Sequence, residues 1–194
     1  ELDKDQRVLD LCAAPGGKTA FIADEMNNTG EIIALDKFES RLNILNKNLN
    51  RLKVTNVKTI SIDAVEYEDE KGFDRVLVDA PCSGLGTLTK KPDLKWKKDL
   101  GDVRKISNIQ MDLLKKGASL VNVGGFVVYS TCTIEPEENF EVVKKFLEEN
   151  ENFELVKNHP DLNKSVIDIN GCIATLPHIH GIDGSFAAKI KRIK

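Results

Sequence analysis

Short runs dominated by apolar residues alternate along the chain with longer segments whose apolar residues recur at helical spacing. The runs have the character of strands buried on both faces of a sheet. In the longer segments only one face is apolar, as Leu42, Leu45 and Leu49 show. The pattern predicts strands at 7–13, 31–36, 57–63, 73–81 and 124–133, and helices at 16–26, 38–52, 103–121 and 136–149.

The alternation of strand and helix predicts the fold class. It is typical of an α/β domain with a mostly parallel central sheet and helices on both faces. In the tail, 153–194, the runs GCIATL and SFAAKIKRI fit antiparallel edge strands. No repeat or low-complexity segment divides the sequence, so we expect 1–194 to be a single domain. Because ELDKDQ leads straight into the first strand, we also expect this domain to be part of a longer chain.

Composition and charge exclude several kinds of protein. The 194 residues carry a formal net charge of -3, so any attraction to nucleic acid has to come from local patches or from chain outside this sequence. The four cysteines are far apart with no CxxC pair, and the His178-x-His180 pair lacks a third ligand, so we expect a surface loop there and no metal. No membrane-length apolar stretch or signal peptide is present, which predicts a cytosolic protein.

The unusual local sequences fall where the predicted strands end. In an open α/β sheet, ligands bind beyond the carboxyl ends of the strands. These ends are Cys12–Lys18, Asp36, Asp63, Asp79–Ser83 and Ser130–Thr133. The coincidence predicts one binding site along this edge of the sheet.

The first of these ends, APGGKT, allows more than one interpretation. A P-loop requires glycine six residues before Lys18, and that position is Cys12, which argues against an NTPase. The GxGxxG dinucleotide fingerprint is missing too. A glycine-rich turn at a helix N-terminus still favours an anionic group such as a carboxylate. A plain tight turn between strand and helix is the structural alternative.

Acids close the second and third strands. Asp36 lies about 20 residues past the glycines, where an acid accepts hydrogen bonds from a ribose diol. It could equally cap the following helix. Asp63 is positioned to lie near an adenine. A ribose, an adenine and an amino-acid carboxylate together describe S-adenosylmethionine.

Two cysteines follow the fourth and fifth strands. Cys82 and Cys132 would both face the methyl-donor pocket if those strands are adjacent, although a buried structural thiol is the usual role of either alone. Methylation of cytosine at its fifth carbon needs a thiolate at the sixth carbon, a carboxyl at the third nitrogen and an eliminating base. Cys132, Asp79 and Cys82 can supply these groups. We expect a helix N-terminus or a nearby lysine to lower the pKa of the attacking thiol.

The motifs DLCAAPGGKT, DAPCSGLGT and STCT, in this order, resemble the RsmB/Sun family of RNA (cytosine-5)-methyltransferases, especially the bacterial 16S rRNA type. DGSFAAKIKR in the tail is similar to that family's DGFF-type strand. The resemblance implies the catalytic domain of a Rossmann-like, class I S-adenosylmethionine-dependent methyltransferase. It implies that Cys132 is the nucleophile and that Cys82 assists product release. DNA cytosine methyltransferases instead carry their nucleophile in a Pro-Cys motif, which in this sequence would be Cys82. The implied cofactor-binding residues are Cys12, Ala13, Ala14, Pro15, Gly16, Gly17, Lys18, Asp36, Arg41, Asp63 and Asp79.

The sequence departs from the family pattern in three places. LTKKPDLKWKK (88–98) stands where an arginine is common, and Lys90, Lys91, Lys95 and Trp96 are candidate contacts for RNA phosphates and a splayed base. A solvated lysine loop is the alternative. Ser185 replaces the first Phe of the DGFF-type pair. The RNA-binding region that precedes the first motif in the family is absent from this sequence.

Two function classes remain beside the NTPase. The leading hypothesis is an enzyme that methylates cytosine in RNA, with rRNA as the partner and the target base flipped out of its stack. The second is a cofactor-bound RNA-binding module whose thiols are inert. We expect a monomer.

Overall fold

The computed structural model describes residues 2–97 and 99–194. Eight strands of one sheet lie within the described residues: β1 (Arg7–Asp10), β2 (Glu31–Asp36), β3 (Val57–Ser61), β4 (Phe73–Asp79), β5 (Val121–Thr131), β6 (Phe153–Leu155), β7 (Ile173–Thr175) and β8 (Ser185–Arg192). The α-helices described are α1 (Gly17–Glu25), α2 (Glu39–Arg51), α3 (Leu100–Leu120), α4 (Phe140–Glu149) and the short α5 (Pro177–His180). No helix in these two ranges is long and apolar enough to cross a bilayer.

The strand order confirms the predicted α/β fold. It is β3-β2-β1-β4-β5-β8-β6, with β7 also paired to β8. The pairs among β1 to β5 are parallel, and β8 is antiparallel to its neighbours. The expectation of edge strands in the tail is therefore wrong for β8, which lies between β5 and both β6 and β7. The sheet is mixed and Rossmann-like, and β4 and β5 are neighbours near its centre.

Alternate residues of the central strands place helices on both faces. Val8 and Ile32 pack with Met26, at the end of α1. The next residues along the same strands, such as Leu9, pack in the main core with Leu114 of α3. Because successive side chains of a strand point to opposite faces, these two clusters lie on opposite sides of the sheet. This confirms the prediction of helices on both faces.

Several element boundaries differ from the predictions: β1 and β4 end earlier, at Asp10 and Asp79, and α3 and β5 begin earlier, at Leu100 and Val121. The segment expected as one helix from 136 to 149 is a 3₁₀ turn at Pro136–Glu138 followed by α4, with Asn139 at φ -110° and ψ -108° between them. The strand β6 was not predicted, because three residues are too few to show a periodicity. The break at Asn139 matters for the site, since it turns Glu138 inward.

Candidate active site

The neighbouring strands β4 and β5 bring the two motif cysteines together. Asp79 and Ser130 are in register at the carboxyl ends of these strands. The chain beyond each strand then places Cys82 Sγ 2.8 Å from Cys132 Sγ, and the Cys132 N–H donates to Cys82 Sγ at 3.2 Å. Cys132 is exposed and Cys82 is partly buried. The expectation that the fourth and fifth strands are adjacent is confirmed.

Asp79 links this thiol pair to the glycine-rich turn. Its Oδ2 lies 2.6 Å from Lys18 Nζ, and its Oδ1 accepts a hydrogen bond from Ser130 Oγ at 2.8 Å. Lys18 comes from the turn after β1, so side chains from three strand ends meet here. Lys18 therefore pairs with a carboxylate of the protein, an arrangement unlike the phosphate-directed lysine of a P-loop.

The two thiols ionise at different pH values. The hydrogen bond from Cys82 to the Cys132 thiolate is the main cause that lowers the pKa of Cys132, to about 7, and the charge of Lys18 lowers it further. The same contact and burial raise the pKa of Cys82. The expected cause was a lysine or a helix N-terminus. The lysine contributes, but the second thiol is the larger influence.

The thiol pair predicts a pH dependence that can be measured without substrate. Because thiolate is the reactive form, alkylation of Cys132 by iodoacetamide is expected to rise with pH to a midpoint of about 7. In Cys82→Ala the donor to the thiolate is gone, and the midpoint is expected to move up toward the ordinary value of about 8.5. Alkylation rates from pH 5.5 to 9.5, with the modified residue identified by mass spectrometry, test this. An unchanged midpoint in Cys82→Ala would contradict it.

The turn between β1 and α1 contains a glycine with a left-handed backbone conformation, and the helix that follows it begins without a cap. Gly16 has φ +103°, and a Cβ on it would meet Leu45 Cγ at 2.8 Å. A Cβ on Gly17 would meet no atom within 4 Å, so space is open above the first residue of α1. No side chain caps this helix. Free N–H groups at an open helix start favour an anion such as a carboxylate.

The other residues of the turn shape its base. Ala13 and Ala14 are buried, the Ala14–Pro15 peptide bond is cis, and Pro15 is exposed. Burial raises the pKa of the Cys12 thiol to about 12, so this cysteine stays protonated at neutral pH. Cys12 therefore contributes as a small side chain rather than as a nucleophile.

Asp36 closes β2 and is 4 % exposed. Its Oδ1 accepts from the Phe38 N–H at 2.9 Å, and its Oδ2 lies 3.0 Å from Arg41 Nη1. Arg41 also donates to the Ala14 carbonyl at 2.6 Å. The helix-cap interpretation of Asp36 is wrong, because the N-cap of α2 is Phe38 and no side chain caps this helix. Asp36 instead faces the turn through Arg41, and its contact with a ribose stays a prediction.

Asp63 lies two residues beyond β3, at the start of a 3₁₀ turn. Its carboxylate accepts from the Val65 N–H at 3.3 Å and from Lys37 Nζ at 2.8 Å. These contacts lower the pKa of Asp63, with the Lys37 hydrogen bond as the main cause. The side chain is about one-third exposed. In the β2–β3 pair Asp36 is in register with Ser61, so Asp63 lies two residues beyond that pair at the same edge of the sheet.

A cleft of about 810 Å³ opens beside Cys132. Thr87, Thr89 and Lys90 line one side, and Pro177 and 181–185 line the other. Lys90 Nζ pairs with Asp183 across it at 2.6 Å. The fold therefore places the lysine loop (88–98) and the DGSFAAKIKR motif of the tail (183–192) on the two sides of the cleft beside the exposed Cys132 thiol.

The remaining candidates for RNA contact lie farther along the lysine loop. Lys91 precedes a 3₁₀ turn at 92–96, and Trp96 is 82 % exposed with Lys95 Nζ 5.1 Å from its ring centroid. Lys98, the last residue of the predicted basic patch, lies outside the described residues. An exposed indole beside ammonium groups fits both the RNA-binding and the solvated-loop interpretations.

His178 and His180 were expected in a surface loop, and this is wrong for both, because they lie in α5. The His180 ring contacts the Leu176 N–H at 2.9 Å and the Ser165 carbonyl at 2.9 Å. These hydrogen bonds to backbone groups give the His180 ring a structural role. Across 2–97 and 99–194, no group of three or more His, Cys, Asp or Glu side chains could hold a metal ion.

Sequence interpretation missed a buried polar network behind the thiols. Ser83, Gln110, Thr133 and Glu138 are buried and hydrogen-bonded to one another. Glu138 belongs to the acidic run EPEEN, a pattern typical of an exposed helix face. The cluster of Ser, Thr and Asn around STCT is the signal that could have indicated it. Ser130 belongs to the predicted binding edge, but its hydrogen bond to Asp79 was not predicted, although the register of the two residues follows from the adjacency of the strands.

Comparison with known proteins places this geometry in a family. Residues 1–191 match the model of the 16S rRNA methyltransferase RsmB/F family. The chain is 39% identical over 204 residues to the probable ribosomal RNA small subunit methyltransferase B of Bacillus subtilis, covering 97% of this chain and 43% of that protein. It is 39% identical over 208 residues to the human 28S rRNA (cytosine(4447)-C(5))-methyltransferase, covering 96% and 25%.

A solved structure agrees in both fold and sequence. The crystal structure of NSun6 from Pyrococcus horikoshii with SFG has a TM-score of 0.89 and 34% identity, covering 100% of this chain and 49% of that one. This chain thus spans less than half the length of these relatives. The chain belongs to the 16S rRNA methyltransferase RsmB/F family.

Proposed function

We propose that this chain transfers a methyl group from S-adenosylmethionine to the fifth carbon of cytosine in rRNA, through a covalent bond between Cys132 and the sixth carbon of the base. The observation that carries the proposal is the 2.8 Å contact between Cys82 and Cys132 beside Asp79. The names of the relatives support the substrate, since they are rRNA methyltransferases and the human one acts on cytosine C5. SFG, an S-adenosylmethionine analogue, supports the cofactor.

The residues at the strand ends fit this cofactor. The uncapped start of α1 with open space above Gly17 suits the amino-acid carboxylate. The buried Asp36 carboxylate is an acceptor suited to the ribose diol, with Arg41 holding it in place. Asp63, on the neighbouring strand, lies toward the adenine. When bound, S-adenosylmethionine supplies an electrophilic methyl group.

Cys132 acts as the nucleophile. Its pKa of about 7 keeps a large fraction as thiolate at neutral pH, and its exposure on the cleft lets a flipped base reach it. The thiolate forms a bond to the sixth carbon of cytosine, and the electron pair of the C5–C6 double bond moves to make the fifth carbon nucleophilic. Asp79 acts in this step as a protonated carboxyl group, which donates a hydrogen bond to the third nitrogen of the ring and so stabilises the negative charge that the addition creates; in this state it no longer forms the ion pair with Lys18.

Cys82 releases the product by removing the proton from the fifth carbon. The thiolate of Cys132 holds the pKa of Cys82 high, so Cys82 keeps its proton at the start. Once the Cys132 sulfur is bound to carbon, that anion is gone, while the Cys132 and Gly84 N–H groups still stabilise a Cys82 thiolate. Cys82 is then the only thiol of the pair, and it can ionise by losing its proton to solvent. Its thiolate takes the C5 proton as the C6–S bond breaks and Cys132 leaves as thiolate.

Lys90, Lys91, Lys95 and Trp96 form the proposed RNA contact beside the cleft. Lys90 lines the cleft itself, and the exposed indole of Trp96 offers a stacking surface for an unpaired base. Because the net charge of the chain is -3, attraction to RNA within this chain needs a local basic patch such as this one.

A denaturing covalent-capture gel tests the proposal. The wild type, Cys82→Ala, Cys132→Ala and the double variant are incubated with S-adenosylmethionine and 16S or 23S rRNA transcripts. Cys82→Ala is expected to give a slow RNA–protein band, because it attacks and methylates but cannot eliminate. Cys132→Ala and the double variant are expected to give none.

The other outcomes contradict the proposal in distinct ways. A band from Cys132→Ala alone would make Cys82 the nucleophile. Absence of a band from Cys82→Ala, with bound S-adenosylmethionine and RNA verified, would favour an RNA-binding module with inert thiols.

A further inference from the structure

The loop that carries Cys82 is held on both sides of the cysteine by the same buried groups. Gln110 Nε2 donates to the Pro81 carbonyl at 2.9 Å and to Glu138 Oε2 at 2.9 Å. The same Glu138 oxygen accepts from the Ser83 N–H at 2.8 Å. Gln110 comes from α3 and Glu138 from the turn after β5, so two distant elements determine where Cys82 sits.

The segment that carries Cys132 joins the same network. Ser83 Oγ lies 2.9 Å from Thr133 Oγ1, and Asn139 Nδ2 donates to the Thr133 carbonyl at 3.1 Å. The Cys132 carbonyl accepts from the Gly86 N–H at 3.1 Å. The residue after each cysteine is therefore hydrogen-bonded to the residue after the other.

Glu138 occupies an environment that is unfavourable for a carboxylate. Its side chain is 0 % exposed, and Oε1 has no hydrogen-bond partner in the described part of the chain. Burying a carboxylate costs free energy unless it is fully paired, and an apolar residue of the same volume is often more stable. A contribution to stability therefore does not explain why a glutamate is buried at this position. Glu138 does, however, accept a hydrogen bond from the Ser83 N–H, next to Cys82.

We propose that Glu138 is a positioning residue that holds Cys82 within hydrogen-bonding distance of Cys132. It touches neither thiol and acts through Ser83 and Gln110. The inference deepens the proposed function, since it concerns the same thiol pair. Its test measures the thiols without RNA or cofactor, so it stands or fails separately from methylation.

The test uses the pH midpoint of Cys132 alkylation in Glu138→Ala and Glu138→Gln. If Glu138 positions Cys82, the midpoint in Glu138→Ala moves in one direction; if Glu138 acts only through its charge, the midpoint moves in the other. Loss of the anchor separates the thiols and moves the midpoint up by about one unit, whereas loss of a nearby negative charge alone would move it down. Glu138→Gln removes the charge but keeps an acceptor oxygen, so its midpoint is expected to stay near the wild-type value. Methylation of rRNA by Glu138→Ala is expected to fall about 30-fold in kcat with little change in affinity for S-adenosylmethionine.

Two further variants make the test decisive. Glu137→Ala removes the neighbouring acid, which forms no hydrogen bond with Ser83 or Gln110 in the described part of the chain, and should leave the midpoint unchanged. If Glu138→Ala does not fold, Gln110→Ala removes the bridge to Pro81 and should raise the midpoint by a smaller amount. Folded variants with a lower melting temperature and a wild-type midpoint would show a structural role only and overturn the proposal.

Discussion

Asp79→Asn is expected to lower the rate of rRNA methylation about 1000-fold, within the range of general acid–base contributions. The asparagine keeps the shape of the side chain and an acceptor for Ser130, but it loses the charge that pairs with Lys18 at 2.6 Å. It also loses the carboxyl group proposed to meet the third nitrogen of the base. Single-turnover methylation of an rRNA transcript measures the loss.

Thiol reactivity distinguishes this role from an effect on the nucleophile. The charge of Asp79 raises the pKa of Cys132, so its removal should lower that pKa or leave it unchanged. Alkylation of Cys132 at pH 7 is therefore expected to be at least as fast in Asp79→Asn as in the wild type. Ser130→Ala, which keeps the carboxylate and removes one hydrogen bond, should lose about tenfold in methylation. Methylation within tenfold of wild type in Asp79→Asn would exclude the proposed role.

Asp36→Asn is expected to weaken S-adenosylmethionine binding about 30-fold. A hydrogen bond to a charged group contributes about 2 kcal/mol, which corresponds to that factor. The buried position of Asp36 removes competition from water, which strengthens the contact with a ribose. Isothermal titration calorimetry of the chain with S-adenosylmethionine, without RNA, gives the affinity directly.

The comparison variant is Asp63→Asn, at the other acid proposed to line the cofactor site. This acid is about one-third exposed and already paired with Lys37, so its loss should change the affinity by about threefold or less. Thermal unfolding without ligand shows whether Asp36→Asn is folded, since Asp36 also pairs with Arg41. Equal losses in the two variants would show that Asp36 has no special contact with the ribose.

Local patterns were sufficient for much of the fold. The periodicity of Leu42, Leu45 and Leu49 identified α2, and all three are buried in the structure. The apolar runs identified the five parallel strands, because a strand covered on both faces has almost no polar positions. The prediction was wrong where the local preference for a helix competes with contacts made in the folded protein. Asn139 is the example, because the chain leaves helical geometry there and Glu138 faces inward.

Much of the candidate site also followed from position along the strands. Asp36 and Asp79 close parallel strands, and the carboxyl ends of such strands meet at one edge of the sheet. The order of the motifs around Cys82 and Cys132 supplied the family. The sequence did not give the roles of the two thiols, because either one can be the nucleophile by spacing alone.

The sequence by itself determined the fold class, the edge of the sheet where we propose that ligands bind, and the residue types available there. Only the tertiary structure decided which of these residues touch. Cys82 and Cys132 are 50 residues apart in the chain, and their 2.8 Å contact exists because β4 and β5 pair in one register. The acidity of Cys132 and the burial of Glu138 follow from that pairing. Both depend on distances across the fold, which no local periodicity encodes.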